Sequence, residues 1–253
     1  MNDKKLDFWN KRSSLEERAG SNDTIAKSLE IDAIDSYISD GQVLLEFGCG
    51  NGPTACEIAR RKNVNITAVD FSEDMVKEAN EYAKKNKVED KVSFFVSDIR
   101  DFKGFMYKFD CIYTERMIIN LNSWEEQSYA IKKLASFLKP SGKLLLCENS
   151  QNGLDNLNKL RKLADLVEIT APWHNLYLND SKMDLLEIHK CNLIDVNSYS
   201  STYYFLSRVV NAWLSKLESV EPSYDAPINK LATLLPPMSG CSQGKLWVWE
   251  CDK

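Results

Sequence analysis

Histidine is scarce in this chain of 253 residues, and the cysteines do not form a metal-binding or disulfide pattern. There are two histidines, at positions 174 and 189, and the seven cysteines include no Cys-x-x-Cys pair. An odd number of cysteines, mostly set within apolar runs, is typical of a reducing compartment. We therefore expect free thiols, no metal ion and a cytoplasmic location.

The chain also lacks an excess of basic residues and any long apolar run. Lys and Arg total 32 against 37 Asp and Glu, which gives a net charge of -5. Proteins that neutralise many phosphates usually carry a basic face, and no such face is evident here. A bilayer span needs about 18 apolar residues in a row, and the N-terminus does not resemble a signal peptide. We expect neither nucleic acid nor a membrane as a partner.

Glycine is sparse, yet three of the 10 glycines alternate within one short segment. The segment is Val43-Leu44-Leu45-Glu46-Phe47-Gly48-Cys49-Gly50-Asn51-Gly52. Its apolar run predicts a buried parallel strand, and its glycines let the chain turn sharply and approach a ligand closely. Pro53 suits the first position of a helix that follows the turn.

Asp70 makes the identification of this turn as a nucleotide-binding site more specific. It follows Gly48 by 22 residues and ends a second strand-like run, Ile66-Thr67-Ala68-Val69. An acidic residue about 20 positions beyond such a turn holds the ribose in Rossmann-type nucleotide sites. The dinucleotide motif requires glycine at the sixth position counted from Gly48, where this chain has Pro53. The pattern therefore departs from an NAD site.

The form Glu-x-Gly-x-Gly-x-Gly, which starts at Glu46, resembles the class I S-adenosylmethionine (SAM)-dependent methyltransferases. The resemblance runs from about Val43 to Asn149 and includes the turn at Pro140-Ser141-Gly142, where the family more often has glycine in place of Ser141. It implies SAM as the cofactor, S-adenosylhomocysteine (SAH) as its product and a small molecule as the partner.

Alternating patterns predict an α/β fold. Strands are expected near residues 43–47, 65–70, 92–97, 109–113 and 143–148, with helices between them. Such alternation indicates a parallel sheet. Later strands are expected near 193–199 and 245–250, with a helical stretch over 203–217. With the resemblance, this predicts a Rossmann-like, seven-stranded, mostly parallel sheet with helices on both faces, an antiparallel last strand, and helical insertions after strands five and six.

One methyltransferase domain is expected over residues 1–253, as a monomer or homodimer. Its parts are an N-terminal helical lid (1–40), a SAM-binding core (41–150), a substrate-side insertion (151–190), and final strands with a helical insertion (191–253). Asp23 is the predicted N-cap of the amphipathic helix in the lid.

By resemblance, the cofactor site combines the lid, the turn and the ends of several strands. The turn faces the amino acid part of SAM, Asp70 the ribose, and Asp98 and Ile99 the adenine. The full set is Trp9, Asn22, Asp23, Glu46, Gly48, Cys49, Gly50, Asp70, Phe71, Met75, Asp98, Ile99 and Glu115.

The acceptor is expected above the C-terminal edge of the sheet, beside the insertion after strand five. His174 is the candidate base for a hydroxyl acceptor, because it lies in the sequence next to Trp173 and Asn175; a purely structural histidine is the alternative. The candidates for binding the acceptor are Arg116, Asn120, Asn149, Tyr177, Tyr203 and Arg208.

Two further runs resemble a subgroup of the family. Asn120-Leu121 and the run 173–178 resemble small-molecule methyltransferases of bacterial surface-glycan biosynthesis. This implies an oxygen of a sugar, a nucleotide-linked sugar or a phosphorylated metabolite as the methyl acceptor. An NAD-dependent oxidoreductase and a SAM-binding protein without turnover are the alternatives.

Overall fold

Seven strands form one sheet in the part of the chain that the structure describes. The computed structural model describes residues 3–253, apart from the side chains of residues 3 and 16–18. The strands are β1 (Val43–Phe47), β2 (Asn65–Asp70), β3 (Val92–Val96), β4 (Phe109–Glu115), β5 (Leu138–Asn149), β6 (Cys191–Asn197) and β7 (Gly244–Cys251). The helices are α1 (Asp3–Arg12), α2 (Thr24–Asp35), α3 (Pro53–Arg61), α4 (Glu73–Asn86), α5 (Trp124–Ala135), α6 (Gln151–Leu163), α7 (Asp180–Asp184), α8 (Ser201–Phe205), α9 (Asn211–Glu218) and α10 (Pro227–Ala232).

The strand order of the sheet is β3-β2-β1-β4-β5-β7-β6. β1 pairs in parallel with both β2 and β4, whereas β7 is antiparallel to β5 and β6. The chain order reverses between β1 and β4, and ligands of open α/β sheets bind at such a point, beyond the carboxyl ends of the strands. The predicted Rossmann-like fold is confirmed, including the antiparallel last strand.

Helices cover both faces of this sheet. Along β1, Leu44 packs on the face that holds Ile34 of α2 and Ile58 of α3, whereas Leu45 packs on the opposite face with Ile131 of α5. Side chains of a strand alternate between faces, so a strand buried on both sides is a continuous apolar run. Among the described helices, none has the length and apolar character that a membrane crossing requires.

The structure differs from the sequence prediction at the start of β5. The predicted turn at 140–142 lies inside this strand, which begins at Leu138 opposite Phe109. The register shifts between Phe109 and Cys111, and Ser141 has a φ of 58°. A bulge of this kind lets the strand continue through a left-handed residue.

The helical stretch predicted over 203–217 is present, but it is interrupted. α8 and α9 are joined by a π-helical turn over Leu206–Val210. This turn, α9 and α10 form an insertion between β6 and β7, which are neighbours in the sheet.

Two cysteines differ from the expectation of free thiols. Cys191 and Cys251 lie opposite each other on β6 and β7 and form a disulfide. The prediction failed here because the pairing of β6 with β7 joins positions 60 residues apart. The other five cysteines are buried free thiols.

Candidate active site

The glycine turn follows β1 at the carboxyl edge of the sheet. Gly48, Gly50 and Gly52 have φ values of 83°, 53° and 83°, which lie in the left-handed region that favours glycine. A Cβ atom at Gly48 would lie 2.3 Å from Met117 Cγ. A larger residue at position 48 would therefore displace the neighbouring wall of the site.

Most amides of this turn are already hydrogen-bonded within the protein. The amides of Gly48 and Cys49 donate to the Val69 carbonyl at 2.7 and 3.0 Å. The Gly50 amide donates to Asp70 Oδ2 at 2.8 Å. The turn thus shapes the floor of the site, and a ligand carboxylate needs cations from other elements.

Asp70 ends β2 directly beside the turn. Its Oδ1 accepts a hydrogen bond from the Ser72 amide at 2.9 Å. Burial raises the pKa of Asp70 to about 6, although the amides of Ser72 and Gly50 favour the charged form. A carboxylate has about four lone-pair sites, so Asp70 can accept further hydrogen bonds from ligand hydroxyls.

Two cations lie beside the turn. Lys27 of α2 donates to both carboxylate oxygens of Glu115 at 2.6 and 2.7 Å and to Thr54 Oγ1 at 2.6 Å. Arg116 lies 3.2 Å from Glu115 and 3.3 Å from Glu30. Burial alone would raise the pKa of Glu115, but Lys27 and Arg116 hold it well below its usual range.

Two neighbouring carboxyl groups favour the protonated state. Burial raises the pKa of Glu46 to about 8 and also raises the pKa of Glu30. With these two groups neutral and Glu115 ionised, Lys27 and Arg116 leave an excess of positive charge. This end of the site therefore suits a ligand carboxylate, and an ammonium group beside Glu46 would favour the ionised form of Glu46.

Apolar and acidic side chains follow β2 and β3 in the same cavity. Met75 and Ile99 are buried, and Phe71 lines the wall with them. Asp98 accepts hydrogen bonds from the amide and the Nη2 atom of Arg100 at 2.9 and 2.6 Å. Apolar faces beside an acidic group suit a ring such as adenine, which carries an amino donor.

His174 lies among aromatic residues of α1. Its ring centroid is 4.5 Å from that of Phe8 and 5.4 Å from that of Trp9. Its Nδ1 is buried and has no hydrogen-bond partner among the described residues. Burial first, and then the charges of Lys5 and Arg12, lower the pKa of His174 to about 4. The imidazole is therefore neutral at pH 7 and has one nitrogen that can accept a proton.

Six buried polar atoms without a hydrogen-bond partner in the described chain belong to residues that line this cavity. They are Asn120 Oδ1, His174 Nδ1, Asn175 Oδ1, Ser207 Oγ, Asn229 Oδ1 and Gln243 Oε1. An unpaired buried polar atom costs about 1–3 kcal/mol, so this concentration indicates a polar ligand. The cavity volume of about 690 Å³ lies in the upper part of the range for small-molecule sites, which leaves space for a cofactor and an acceptor.

Most of the site residues predicted from the sequence line this one cavity. They are Trp9, Glu46, Gly48, Cys49, Gly50, Asp70, Phe71, Met75, Asp98, Ile99, Glu115, Arg116, Asn120, Asn149, His174, Tyr177 and Arg208. The lining of the cavity does not include Asn22, Asp23 or Tyr203. The Tyr203 hydroxyl instead donates to Asp23 Oδ1 at 2.6 Å, and the same carboxylate caps α2 through the Ala26 amide.

Several residues of the cavity wall were missed by sequence reasoning. Lys27 lies one turn after the predicted cap Asp23, within the segment assigned to the lid, and that position was the available signal. Ser207, Asn229 and Gln243 carry no motif. Their positions depend on how the insertion between β6 and β7 folds back over the sheet.

Comparison with known proteins agrees with this geometry. Residues 44–142 match the family described as a methyltransferase domain. The 27-O-demethylrifamycin SV methyltransferase of Amycolatopsis mediterranei is 30% identical over 141 residues, which cover 55% of this chain and 48% of that protein. The chain likewise matches about half the length of the methyltransferase GfsG of Streptomyces halstedii, at 23% identity, so it spans about half the length of these curated relatives.

Solved structures share the fold over most of the chain. The CcbJ methyltransferase from Streptomyces caelestis has a TM-score of 0.61 and 12% identity, with 89% of this chain and 90% of that chain covered. Magnesium protoporphyrin IX methyltransferase (ChlM) from Synechocystis PCC 6803, solved with bound SAH, has a TM-score of 0.56 and 15% identity, with 90% and 82% covered. Residues 44–142 thus match a methyltransferase domain, and SAM is the cofactor that this match implies.

The residues of this chain fit that cofactor. The excess positive charge at Lys27 and Arg116 suits the methionine carboxylate, and Asp70 has lone pairs left for the ribose hydroxyls. The close approach of Met117 to Gly48 leaves no room for a side chain at position 48. The floor of the site at Gly48 is therefore bare backbone, which a ligand can approach closely.

Proposed function

We propose that this chain transfers a methyl group from SAM to an oxygen of a small molecule. The acceptor that we infer is a sugar, a nucleotide-linked sugar or a phosphorylated metabolite, as in the surface-glycan enzymes that the runs at Asn120 and 173–178 resemble. One observation carries the proposal: the glycine turn, Asp70 and His174 line a single cavity.

The cofactor end is held by side chains of the core and of the lid. SAM, when bound, supplies a methyl group on a positively charged sulfur. Lys27 and Arg116 attract the carboxylate of its amino acid part, and Asp70 accepts hydrogen bonds from its ribose. Holding two reactants in near-attack geometry removes about 7–11 kcal/mol of the barrier. We infer that positioning is the main contribution of this protein to the rate.

His174 is the residue that we assign to the acceptor proton. A hydroxyl acceptor must lose its proton as its oxygen forms the bond to the methyl carbon. Neutral His174 can take this proton, but a pKa of about 4 makes it a weak base. Its contribution therefore falls at the lower end of the about 10²–10⁴-fold that general bases supply.

We also propose roles for the outer parts of the chain. The segment 1–40 acts as a lid, because Phe8 and Trp9 of α1 contact His174. The insertion 151–190 and the helices within 191–253 form the acceptor side, because they supply His174, Asn175 and Ser207 to the cavity wall.

Two measurements test the proposed function. Calorimetric titration should show saturable binding of SAM and SAH, and no tighter binding of NADH. The protein is then incubated with SAM and a panel of sugar nucleotides and phosphorylated metabolites, and mass spectrometry should detect a product heavier by one methyl group in place of hydrogen. Tighter binding of NADH would support the oxidoreductase alternative, and SAM binding without any product would support the alternative of a binding protein.

A further inference from the structure

A separate wall of the cavity comes from the insertion between β6 and β7. Ser207 in the π-helical turn, Asn229 on α10 and Gln243, the residue before β7, all line the cavity. Each is more than nine-tenths buried. Each also has one polar atom without a hydrogen-bond partner among the described residues.

The orientation of Asn229 is determined by its own hydrogen bonds. Its Nδ2 donates to the carbonyl oxygens of Ser223 and Tyr224, both at 3.0 Å. Because only the amide nitrogen can make these bonds, the atom left without a partner is the carbonyl oxygen Oδ1. A carboxamide oxygen only accepts hydrogen bonds. The ligand group that satisfies Asn229 must therefore be a donor.

Gln243 and Ser207 also favour a ligand that donates hydrogen bonds. Gln243 Nε2 donates to the Tyr177 hydroxyl at 3.3 Å, which leaves Oε1 as a second unpaired acceptor. The Ser207 hydroxyl can accept or donate. Its position in a π-helical turn is one that proteins often use at functional sites. The three side chains together offer two or three acceptors to a ligand.

The charges on this wall disfavour a cationic donor. Arg208 lies 2.7 Å from Asp23, and its guanidinium carbon lies 5.2 Å from the ring centroid of Tyr204 and 4.9 Å from that of Tyr224. Arg161 also lines the cavity and has no carboxylate partner among the described residues. An ammonium group would therefore be repelled by Arg161, and Asp23, already paired with Arg208, is not free to bind it.

Arg161 would attract an anionic ligand, but such a ligand cannot donate hydrogen bonds to the two unpaired oxygens of this wall. The charge of Arg208 is already balanced by Asp23, and two guanidinium nitrogens of Arg161 donate to the carbonyl oxygens of Val167 and Arg208. A phosphate has only acceptor oxygens to present to the oxygens of Asn229 and Gln243. Hydroxyl groups can donate to these oxygens without adding charge.

We propose that Ser207, Asn229 and Gln243 form a subsite for an uncharged group that carries several hydroxyls, such as a sugar ring. The proposal rests on the proposed function, because the subsite would hold the part of the acceptor away from the cofactor. It narrows the acceptor to a molecule in which the hydroxyl-rich part, and not a phosphate or an amine, contacts the insertion.

The test uses saturation-transfer NMR on the full chain in the presence of SAH. The probes are methyl glucoside, glucose 1-phosphate and glucosamine, which share a sugar ring but differ in charge. Methyl glucoside should show the strongest saturation transfer. Ser207→Ala should weaken its binding about tenfold, since one hydrogen bond is lost. It should not unfold the protein, because the Ser207 hydroxyl has no partner to lose.

Ser215→Ala is the matched control, since Ser215 is a buried serine of α9 that does not line the cavity. Gln243→Met is a second test that keeps the size of the side chain and removes the acceptor oxygen together with the hydrogen bond to the Tyr177 hydroxyl. Stronger binding of either charged probe, no binding of methyl glucoside, or equal binding by wild type and Ser207→Ala would overturn the subsite. SAH affinity is measured in the same samples: its loss counts against the proposed function, whereas normal SAH binding without sugar binding counts only against the subsite.

Discussion

Arg208 of the π-helical turn lies 2.7 Å from Asp23, the N-cap residue of α2, although 185 positions separate them in the chain. The same carboxylate accepts a hydrogen bond from the Tyr203 hydroxyl at 2.6 Å. Asp23 thereby joins the N-terminal segment to the insertion between β6 and β7. The two parts that cover the carboxyl edge of the sheet are connected to each other as well as to the core.

Asp23→Asn should destabilise the protein by about 2 kcal/mol, because asparagine still caps α2 but leaves the mostly buried Arg208 guanidinium without its anion. The free energy of unfolding in urea measures the effect. Asp32→Asn is the matched control on the same helix, where an exposed pair with Arg61 at 2.6 Å contributes only about 0–1 kcal/mol. Equal losses in the two variants would show that Asp23 does not join the two segments.

His174→Gln should lower turnover by about 100-fold, the lower end of what a general base supplies, and leave SAH affinity nearly unchanged. The test requires an acceptor found in the panel described above. His189→Gln serves as the control, since His189 does not line the cavity. Normal turnover in the His174 variant would make this histidine a structural residue.

The pH dependence gives a second test of the same residue. The pKa of His174 is lowered to about 4, so the imidazole stays neutral, and able to accept a proton, over most of the acid range. At saturating SAM, kcat should therefore not fall with a midpoint near 6.5, the ordinary pKa of histidine. A loss of turnover centred there, and absent from His174→Gln, would contradict the assigned pKa.

The central sheet could be predicted because each strand carries its own signal. The run from Val43 to Phe47 is continuous and apolar, and Asp70 ends the next strand with a charge. Such patterns depend on neighbours in the chain and on the period of a strand. The position of Asp70 beside the turn follows from parallel pairing of β1 with β2, so the floor of the site was also predictable.

The outer parts of the site depend on contacts between distant segments, which periodicity does not report. Tyr203 was expected to bind the acceptor, but its hydroxyl instead donates a hydrogen bond to Asp23. Ser207 and Asn229 line the cavity only because the insertion folds over it. The disulfide between Cys191 and Cys251 likewise follows from the pairing of β6 with β7.

Asp70→Asn should weaken SAM binding by at least about tenfold, since an amide offers one oxygen where the carboxylate offers two. Burial raises the pKa of Asp70 to about 6. Protonation removes an acceptor, so wild-type affinity should decline as the pH falls from 7 to 5. Calorimetry checks both effects, with Asp74→Asn on the exposed first turn of α4 as the control. Unchanged affinity in the Asp70 variant would remove its assigned contact with the ribose.

Glu46→Gln should stabilise the ligand-free protein at alkaline pH and weaken its binding of SAM. Burial raises the pKa of Glu46 from 4.5 to about 8. Because the folded form holds this proton more tightly than the unfolded form, the stability linked to it is complete below pH 4.5 and is lost as the pH rises to about 8. Glutamine does not ionise, and its oxygen can still accept from the Tyr113 hydroxyl, which lies 3.2 Å from Glu46.

Unfolding in urea at pH 5 and pH 8.5 measures this difference, and the gain from Glu46→Gln should grow by about 4 kcal/mol between the two. Glu57→Gln provides a control, because the pKa of Glu57 is shifted in the opposite direction to that of Glu46. Arg60 and Arg61 lower the pKa of Glu57 to about 2, so its stabilising effect is present at neutral pH and is lost only in strong acid. A Glu46 variant with the same pH dependence of stability as wild type would mean that Glu46 is ionised in the folded protein, and the excess positive charge assigned to Lys27 and Arg116 would then be cancelled.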